Sequence, residues 1–403
     1  MKAFVLYVKG LFGWVVPAVV LLALSGCENP ANHPGEAPVE PSPPPPEAEG
    51  WEAVTVVEGI RHPWGLAWLD DGAALVTARD DGRVYRVKDG AVEEIPLDGL
   101  PDLFTGGQGG LLDITLHPAD READGDRRVY MTLSTGSREA NRTELARGLY
   151  DGERIREITS LFRVVPDKSG TQHFGSRLLW LPDGTLLMSV GDGGNPPLRI
   201  GGMLAREQAQ NLESHLGAVL RLTDEGQAPP DNPFVDRDDA LPEIWAYGTR
   251  NIQGLARDHE SGRVWANEHG PLGGDELNLI ERGENYGWPL QTLGRDYRTG
   301  RPIGETRVEG MAQPKVVWSP AHAPSGLAFY TGPHFPEWQG SLFSGGLRAQ
   351  DIRRIELDGD GNVVRQERLV IGSRVREVAQ GPDGHLYALT DEENGALLRI
   401  QPK

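Results

Sequence analysis

From Trp51 to Lys403, apolar residues come in short runs broken by turn pairs, a pattern of strands rather than helices. One phrase recurs: an apolar strand, a turn built on Asp-Gly or a similar pair, then a second apolar strand. It occurs at Gly65–Thr77, and again at Leu112–Pro118 with Arg128–Leu133. Further copies are Arg177–Val190 around Pro182-Asp183-Gly184, Gly254–Ala266, Gly326–Tyr330 with Gly340–Ser344, and Val375–Thr390. Alternation and turn chemistry make each a β-hairpin. Six copies spaced about 50 to 75 residues apart match the upper end of a propeller blade with its loops. Four strands per blade bury cores between neighbours, and a closed ring leaves no exposed edge. The expected fold is all-β, a six-bladed β-propeller, with a pair of large β-sandwiches as the rival. The one helical signal is Leu204 to Leu212.

The first fifty residues read differently. Lys2 and Lys9 precede an apolar stretch, Leu11 to Leu24, that is short for a membrane span. It ends at Leu24-Ser25-Gly26-Cys27, which resembles a bacterial lipoprotein cleavage box, where the cysteine is lipidated and becomes the mature N-terminus. The alternative is a buried free thiol, but Cys27 lies in no foldable segment. Lipidation implies export and a lipid anchor at a membrane, facing the periplasm or cell exterior. Cys27 is the only cysteine, which suits an oxidising compartment. Glu28 after it, rather than aspartate, favours an outer membrane in a two-membrane cell. Asn29 to Gly50 is rich in Pro and Glu and has no apolar periodicity, so it reads as a semi-rigid tether. The expected organisation is signal segment 1–27, tether 28–50 and propeller 51–403.

The chain of 403 residues carries a formal charge of −19, which argues against nucleic acid or an anionic membrane surface as partner. An anionic ligand would need a local cluster of arginines. No nucleotide loop, serine elbow or zinc signature is present; Gly106-Gly-Gln-Gly-Gly110 lacks a βαβ context.

Five polar loops remain as candidates. Gln108 sits among glycines that let backbone approach a ligand, or that simply turn. His173 is suited to proton transfer near neutral pH, or is a packed structural residue. Tyr247-Gly-Thr-Arg-Asn-Ile-Gln-Gly254 offers a guanidinium fit for a carboxylate, or an arginine paired inside a blade. Asn267–Glu276 and Asn285–Pro289 crowd carboxylates and carbonyls into Gly/Pro loops, which suits calcium bound by scattered oxygens. Arg374 and Arg376 share one strand face, as a ligand clamp or as a solvated pair.

Together these motifs resemble the soluble quinoprotein sugar dehydrogenases, the glucose/sorbosone dehydrogenase family, and within it the aldose sugar dehydrogenase branch. The resemblance is carried by Gly-Gln-Gly-Gly-Leu-Leu-Asp, His-Phe-Gly-Ser-Arg-Leu, Arg-Asn-Ile-Gln-Gly-Leu, Glu-His-Gly-Pro-Leu-Gly-Gly-Asp-Glu and Asn-Tyr-Gly-Trp-Pro, and it spans Trp51 to Lys403. It implies a propeller holding pyrroloquinoline quinone (PQQ) and Ca2+ at one end of its axis. The general base maps to His173, and quinone contacts map to Gln108, Arg250, Asn251, Gln253, Arg374 and Arg376, with Arg348 in addition. The calcium beside the quinone maps to the carbonyls of Gly270 and Pro271, and a structural calcium to Glu276 and Tyr286. The implied reaction oxidises an aldose at its anomeric carbon to the lactone and passes electrons to an external acceptor. Two departures stand out. Gln172 occupies a place where some members carry an acid before the histidine. An aromatic expected near Ser319 in glucose-specific enzymes is not matched, which points to an open site with broad aldose use. The alternatives are a calcium-dependent propeller lactonase, with its metal on the axis held by carboxylates from several blades, and a binding propeller with no reaction.

Overall fold

The computed structural model describes residues 39–120 and 125–403. The signal segment, Cys27 and residues 28–38 of the expected tether lie outside the described residues. Six four-stranded antiparallel sheets form the blades of a β-propeller. The six hairpins read from the sequence are the first two strands of the six blades. First strands are Pro63–Trp68, Leu111–Leu116, Leu178–Trp180, Ile252–Arg257, Pro324–Phe329 and Val375–Gln380. Their partners are Ala74–Ala78, Arg127–Gly136, Leu186–Val190, Val264–Glu268, Leu342–Gly346 and Leu386–Thr390. The expected helix at 204–212 is a short 3-10 turn, Ala205–Gln210.

Apolar runs of this kind follow from the packing. The second strand of each blade lies between two neighbours, so both of its faces are buried. In the third blade, Leu186, Met188 and Val190 face the second blade, while Leu187 faces the fourth. Each of the six seams between blades holds its own apolar cluster.

Ring closure comes from the ends of the chain. Trp51–Ile60 pairs antiparallel with Gly395–Pro402 and is the outer strand of the sixth blade. Its Val57 and Ile60 enter the seam between the last blade and the first. The stretch read as tether is partly docked: Ser42 N donates to Val317 O at 2.7 Å, and Pro46 and Ala48 exchange backbone hydrogen bonds with Arg368 at 2.9 Å. Extended proline-rich backbone presents unpaired groups to an exposed strand, and here the strand takes them up.

Two loop families share one end of the ring: those preceding first strands and those following second strands. The Asp-Gly turns lie at the other end. Ile60→Ala empties a fully buried position at the closure seam and is expected to cost about 2–5 kcal/mol in urea unfolding. Val364→Ala, at a position 57% exposed, should change stability by less than about 0.5 kcal/mol.

Candidate active site

At that end a cavity of about 420 Å³, open on one side, sits over the axis, lined by residues of all six blades. Of the expected residues, Gln108, Gln253, Arg374 and Arg376 line it directly. Trp64 lines it too, with the Arg376 guanidinium 5.7 Å from its ring centroid. Asn251 joins the same wall: its Oδ1 accepts from Gly175 N at 3.1 Å and from Gln253 Nε2 at 3.4 Å. Arg348 is exposed one residue beyond the lining Leu347, so it stands at the rim rather than in the cavity.

His173 is buried behind the lining residue Phe174, with its backbone N donating to Gln108 Oε1 at 2.8 Å. Its Nδ1 lies 2.6 Å from Asp192 Oδ1, and its Nε2 lies 3.5 Å from Asn195 Nδ2. The second Asp192 oxygen accepts from Trp288 Nε1 at 2.8 Å. This arrangement fixes a proton on Nδ1 and leaves Nε2 as the acceptor. Burial and the Arg250 charge push the imidazole pKa below its usual value, against the pull of Asp192. Burial raises Asp192, but His173 and Arg250 outweigh it and hold that carboxyl below its ordinary range. The acid absent at Gln172 is therefore supplied from the glycine loop Gly191–Gly194. Local sequence does not reveal the pair, because Asp192 reaches His173 only once the second strand has returned to the same end.

Arg250 turns sideways. Its Nη1 donates to the carbonyls of His269 at 2.8 Å and Gly270 at 2.9 Å, and its Nη2 to Asn195 Oδ1 at 2.9 Å. Its Nε and that of Arg376 are buried without a partner. Across the cavity, Asp391 gathers three guanidiniums, Arg374 and Arg376 at 2.9 Å and Arg79 at 3.7 Å, with the His62 ring at 3.1 Å. Burial raises its pKa, but the three guanidiniums outweigh that and hold it far below the usual range. His62, Arg79 and Asp391 were not foreseen; for Asp391 the available signal was an acid directly after the second strand Leu386–Thr390.

Behind Arg250, a closed void of about 10 Å³ is bordered by Glu268, Gly270, Glu276 and Tyr286, with Pro271 buried in the adjoining turn. That is about one probe sphere, room for a single water or ion. Glu268 and Glu276 face each other across the ladder, and the Asn278 amide reaches them at 3.1 and 3.2 Å. Burial holds both carboxyls above their usual range, and the Glu268 charge adds to the effect at Glu276. Asn278 Oδ1, on the same strand face as Glu276, is a buried acceptor with no donor. Among the described residues, no three His, Cys, Asp or Glu side chains converge as a metal cluster. The set is instead two acids with surplus amide and main-chain oxygens, chemistry that fits a hard cation. The Tyr286 hydroxyl donates to Leu279 O at 2.5 Å, so a ligand role for Tyr286 rests on its main chain.

Beneath the cavity, Arg177 bridges Asp113, at 3.0 Å, and Glu377, and its guanidinium lies 4.5 Å from the Trp64 ring centroid. First strands crowd here: a Cβ on Gly326 would meet Glu377 Oε1 at 2.4 Å, so glycine lets the strands close.

A sequence profile of the glucose/sorbosone dehydrogenases matches residues 60–399. The chain belongs to that family. It is 49% identical over 359 residues to an uncharacterised Synechocystis protein, slr1608, covering 87% of this chain and 86% of the relative. It is 39% identical over 352 residues to the aldose sugar dehydrogenase YliI of Escherichia coli, covering 85% of this chain and 91% of the relative. The PQQ-bound aldose sugar dehydrogenase of Streptomyces coelicolor superposes with a TM-score of 0.69 at 29% identity, over 89% of this chain and all of that one. This glucose/sorbosone dehydrogenase is thus an oxidoreductase on a six-bladed propeller.

The axial triad is testable by itself. Arg177→Met leaves two buried acids unpaired and is expected to cost about 3–5 kcal/mol near pH 8. Burial raises Asp113 and Glu377, and without Arg177 both carboxyls rise further. Folded-state protonation then relieves the loss as pH falls, so denaturation of the variant should show a smaller deficit near pH 4 than at pH 8.

Proposed function

We propose that this dehydrogenase oxidises aldose sugars at the anomeric carbon to the lactone, with PQQ and calcium as cofactors. The observation that carries the reading is the cavity over the axis, where Arg374, Arg376, Gln108 and Gln253 converge beside a buried His–Asp pair. An acidic protein has little reason to gather guanidiniums around an aromatic floor except to hold an anion, and PQQ is a planar tricarboxylate. Unpartnered Arg376 Nε and Arg250 Nε suit such a ligand, as does the PQQ-bound neighbour. Arg374 and Arg376 would hold its carboxylates, Gln108, Asn251 and Gln253 its polar edge, and Arg348 a group at the rim. Calcium would take the Gly270 and Pro271 carbonyls beside the quinone, and a structural calcium the oxygens at Glu268, Glu276 and Tyr286. When bound, PQQ supplies the acceptor for the hydride leaving the sugar, with calcium as Lewis acid.

The chain's own residues handle the proton. His173 Nε2 takes it from the anomeric hydroxyl, and Asp192 holds the ring in the tautomer that can accept it and stabilises the charge that results. Asn195 sits against Nε2 and links it to Arg250, so the base and the cofactor wall move as one unit. No aromatic side chain replaces Ser319, which is exposed, so the mouth stays open to varied aldoses. The lipoprotein box at Cys27 supports an exported, membrane-anchored enzyme that passes electrons to an external acceptor.

A lactonase would require free carboxylates on the axis. Here the axial acids Asp113 and Glu377 are both tied to Arg177 rather than free. The deciding experiment adds PQQ and Ca2+ to cofactor-free protein and compares aldose-dependent dye reduction with lactone hydrolysis; hydrolysis without dye reduction would refute the proposal.

The pH dependence follows from the dyad. A base must be neutral, so turnover is lost as pH falls through its pKa, and that limb should lie below the ordinary imidazole value of about 6.5. His173→Ala should lower turnover by about 10²–10⁴ with PQQ affinity kept. Asp192→Asn removes the group that raises the imidazole pKa, so its remaining activity should persist to lower pH. An unchanged limb in that variant removes Asp192 from the mechanism.

A further inference from the structure

Two loops beside the cavity carry charge opposite to that of the whole chain. Residues 195–207 and 290–305 hold five arginines (Arg199, Arg206, Arg295, Arg298 and Arg301) against three acids (Glu207, Asp296 and Glu305), a formal +2 in a chain of −19. None of the five forms an ion pair among the described residues. Arg199 and Arg295 reach only backbone carbonyls, of Gly202 at 2.7 Å and Gly300 at 3.2 Å. Arg199, Arg295, Arg298 and Arg301 are exposed, and Arg206 is half-buried.

Both loops are fastened to the active site. The first begins at Asn195, which touches His173 Nε2 and Arg250. The second pairs Arg295 with Leu272 through backbone bonds of 3.0 and 3.2 Å, on the turn that carries Gly270 and Pro271. Arg206 lies close enough to Asp296 to lower that carboxyl pKa, behind its hydrogen bonds to Thr299 and Arg298 N, so the loops adjoin. The opposite rim is acidic, with Asp80, Asp81, Glu392 and Glu393 around His62 and Arg61. None of the five arginines lines the cavity. They stand outside it, on the surface beside its mouth.

We propose that these two loops form the docking face for an acidic electron-accepting partner and steer it to the cavity mouth. The inference rests on the dehydrogenase reading above. Oxidation of one aldose to its lactone releases two electrons and two protons; two one-electron acceptors take the electrons and solvent takes the protons. A local positive field beside the exit raises the encounter rate of an anionic acceptor while net charge keeps other anions away. The field decays over about 8 Å at physiological salt, so the steering should weaken as salt is raised.

The test has two arms. In the first, cofactor-free protein is titrated with hexacyanochromate(III), a redox-inert paramagnetic trianion, and amide resonances are followed by NMR. Broadening is expected within 195–207 and 290–305, and not with the trication tris(ethylenediamine)chromium(III). Broadening elsewhere, or none, overturns the proposal without touching the sugar-oxidation reading, because no cofactor is present. In the second arm, the reconstituted enzyme is reoxidised by hexacyanoferrate(III) or hexaammineruthenium(III). Arg295→Gln/Arg298→Gln/Arg301→Gln should slow the anionic acceptor about tenfold at low salt and leave the cationic one and the KM for neutral aldose unchanged. A variant that keeps its acceptor preference but loses KM for an anionic sugar such as galacturonate would show that the arginines read substrate, and would overturn the proposal.

Discussion

The whole arrangement depends on one constraint of antiparallel blades: each first strand begins where the second strand ends. Six repeats of that geometry deliver twelve loops to one end of a common axis. His173, Arg250 and Arg374 arrive ahead of first strands, while Asp192, Gly270 and Asp391 arrive after second strands. The site is made of pairs drawn from the two loop families, which explains how groups far apart in sequence meet within hydrogen-bond distance.

The same crowding sets the polar chemistry. Close first strands crowd the axis, and the buried charges there meet groups of opposite sign. Arg177 answers Asp113 and Glu377, and Asp391 answers Arg374 and Arg376. The paired glutamates beside the small void have the Arg250 guanidinium next to them, and burial holds both carboxyls above their usual range. A bound calcium there, and a bound polycarboxylate against the partly unsatisfied guanidiniums at the cavity, would complete both sites.

Much of the fold was legible in the sequence because its signals are local. Asp-Gly turns mark the hairpins, and second strands buried on both faces leave continuous apolar runs such as Leu186–Val190. Closure by Trp51–Ile60 was not legible, since it joins opposite ends of the chain and leaves no local mark. Docking of Ser42–Ala48 was hidden for the same reason: a proline-rich stretch looks like a spacer until a strand edge accepts it. Within the site, residue types were readable but partners were not. His173, Gln108 and Arg376 fall where their motifs suggested, whereas Asp192 and Asp391 became meaningful only when the return strands brought them to the same end. Arg348 shows the reverse, a residue that the resemblance adds to the quinone contacts and whose side chain stands at the rim.

The most direct measurement of the central claim is calorimetric titration of cofactor-free protein with PQQ in the presence of calcium. The account predicts one-to-one uptake that is lost when Arg374 and Arg376 are both changed to methionine. Absence of uptake, or uptake undiminished by that double change, would contradict it.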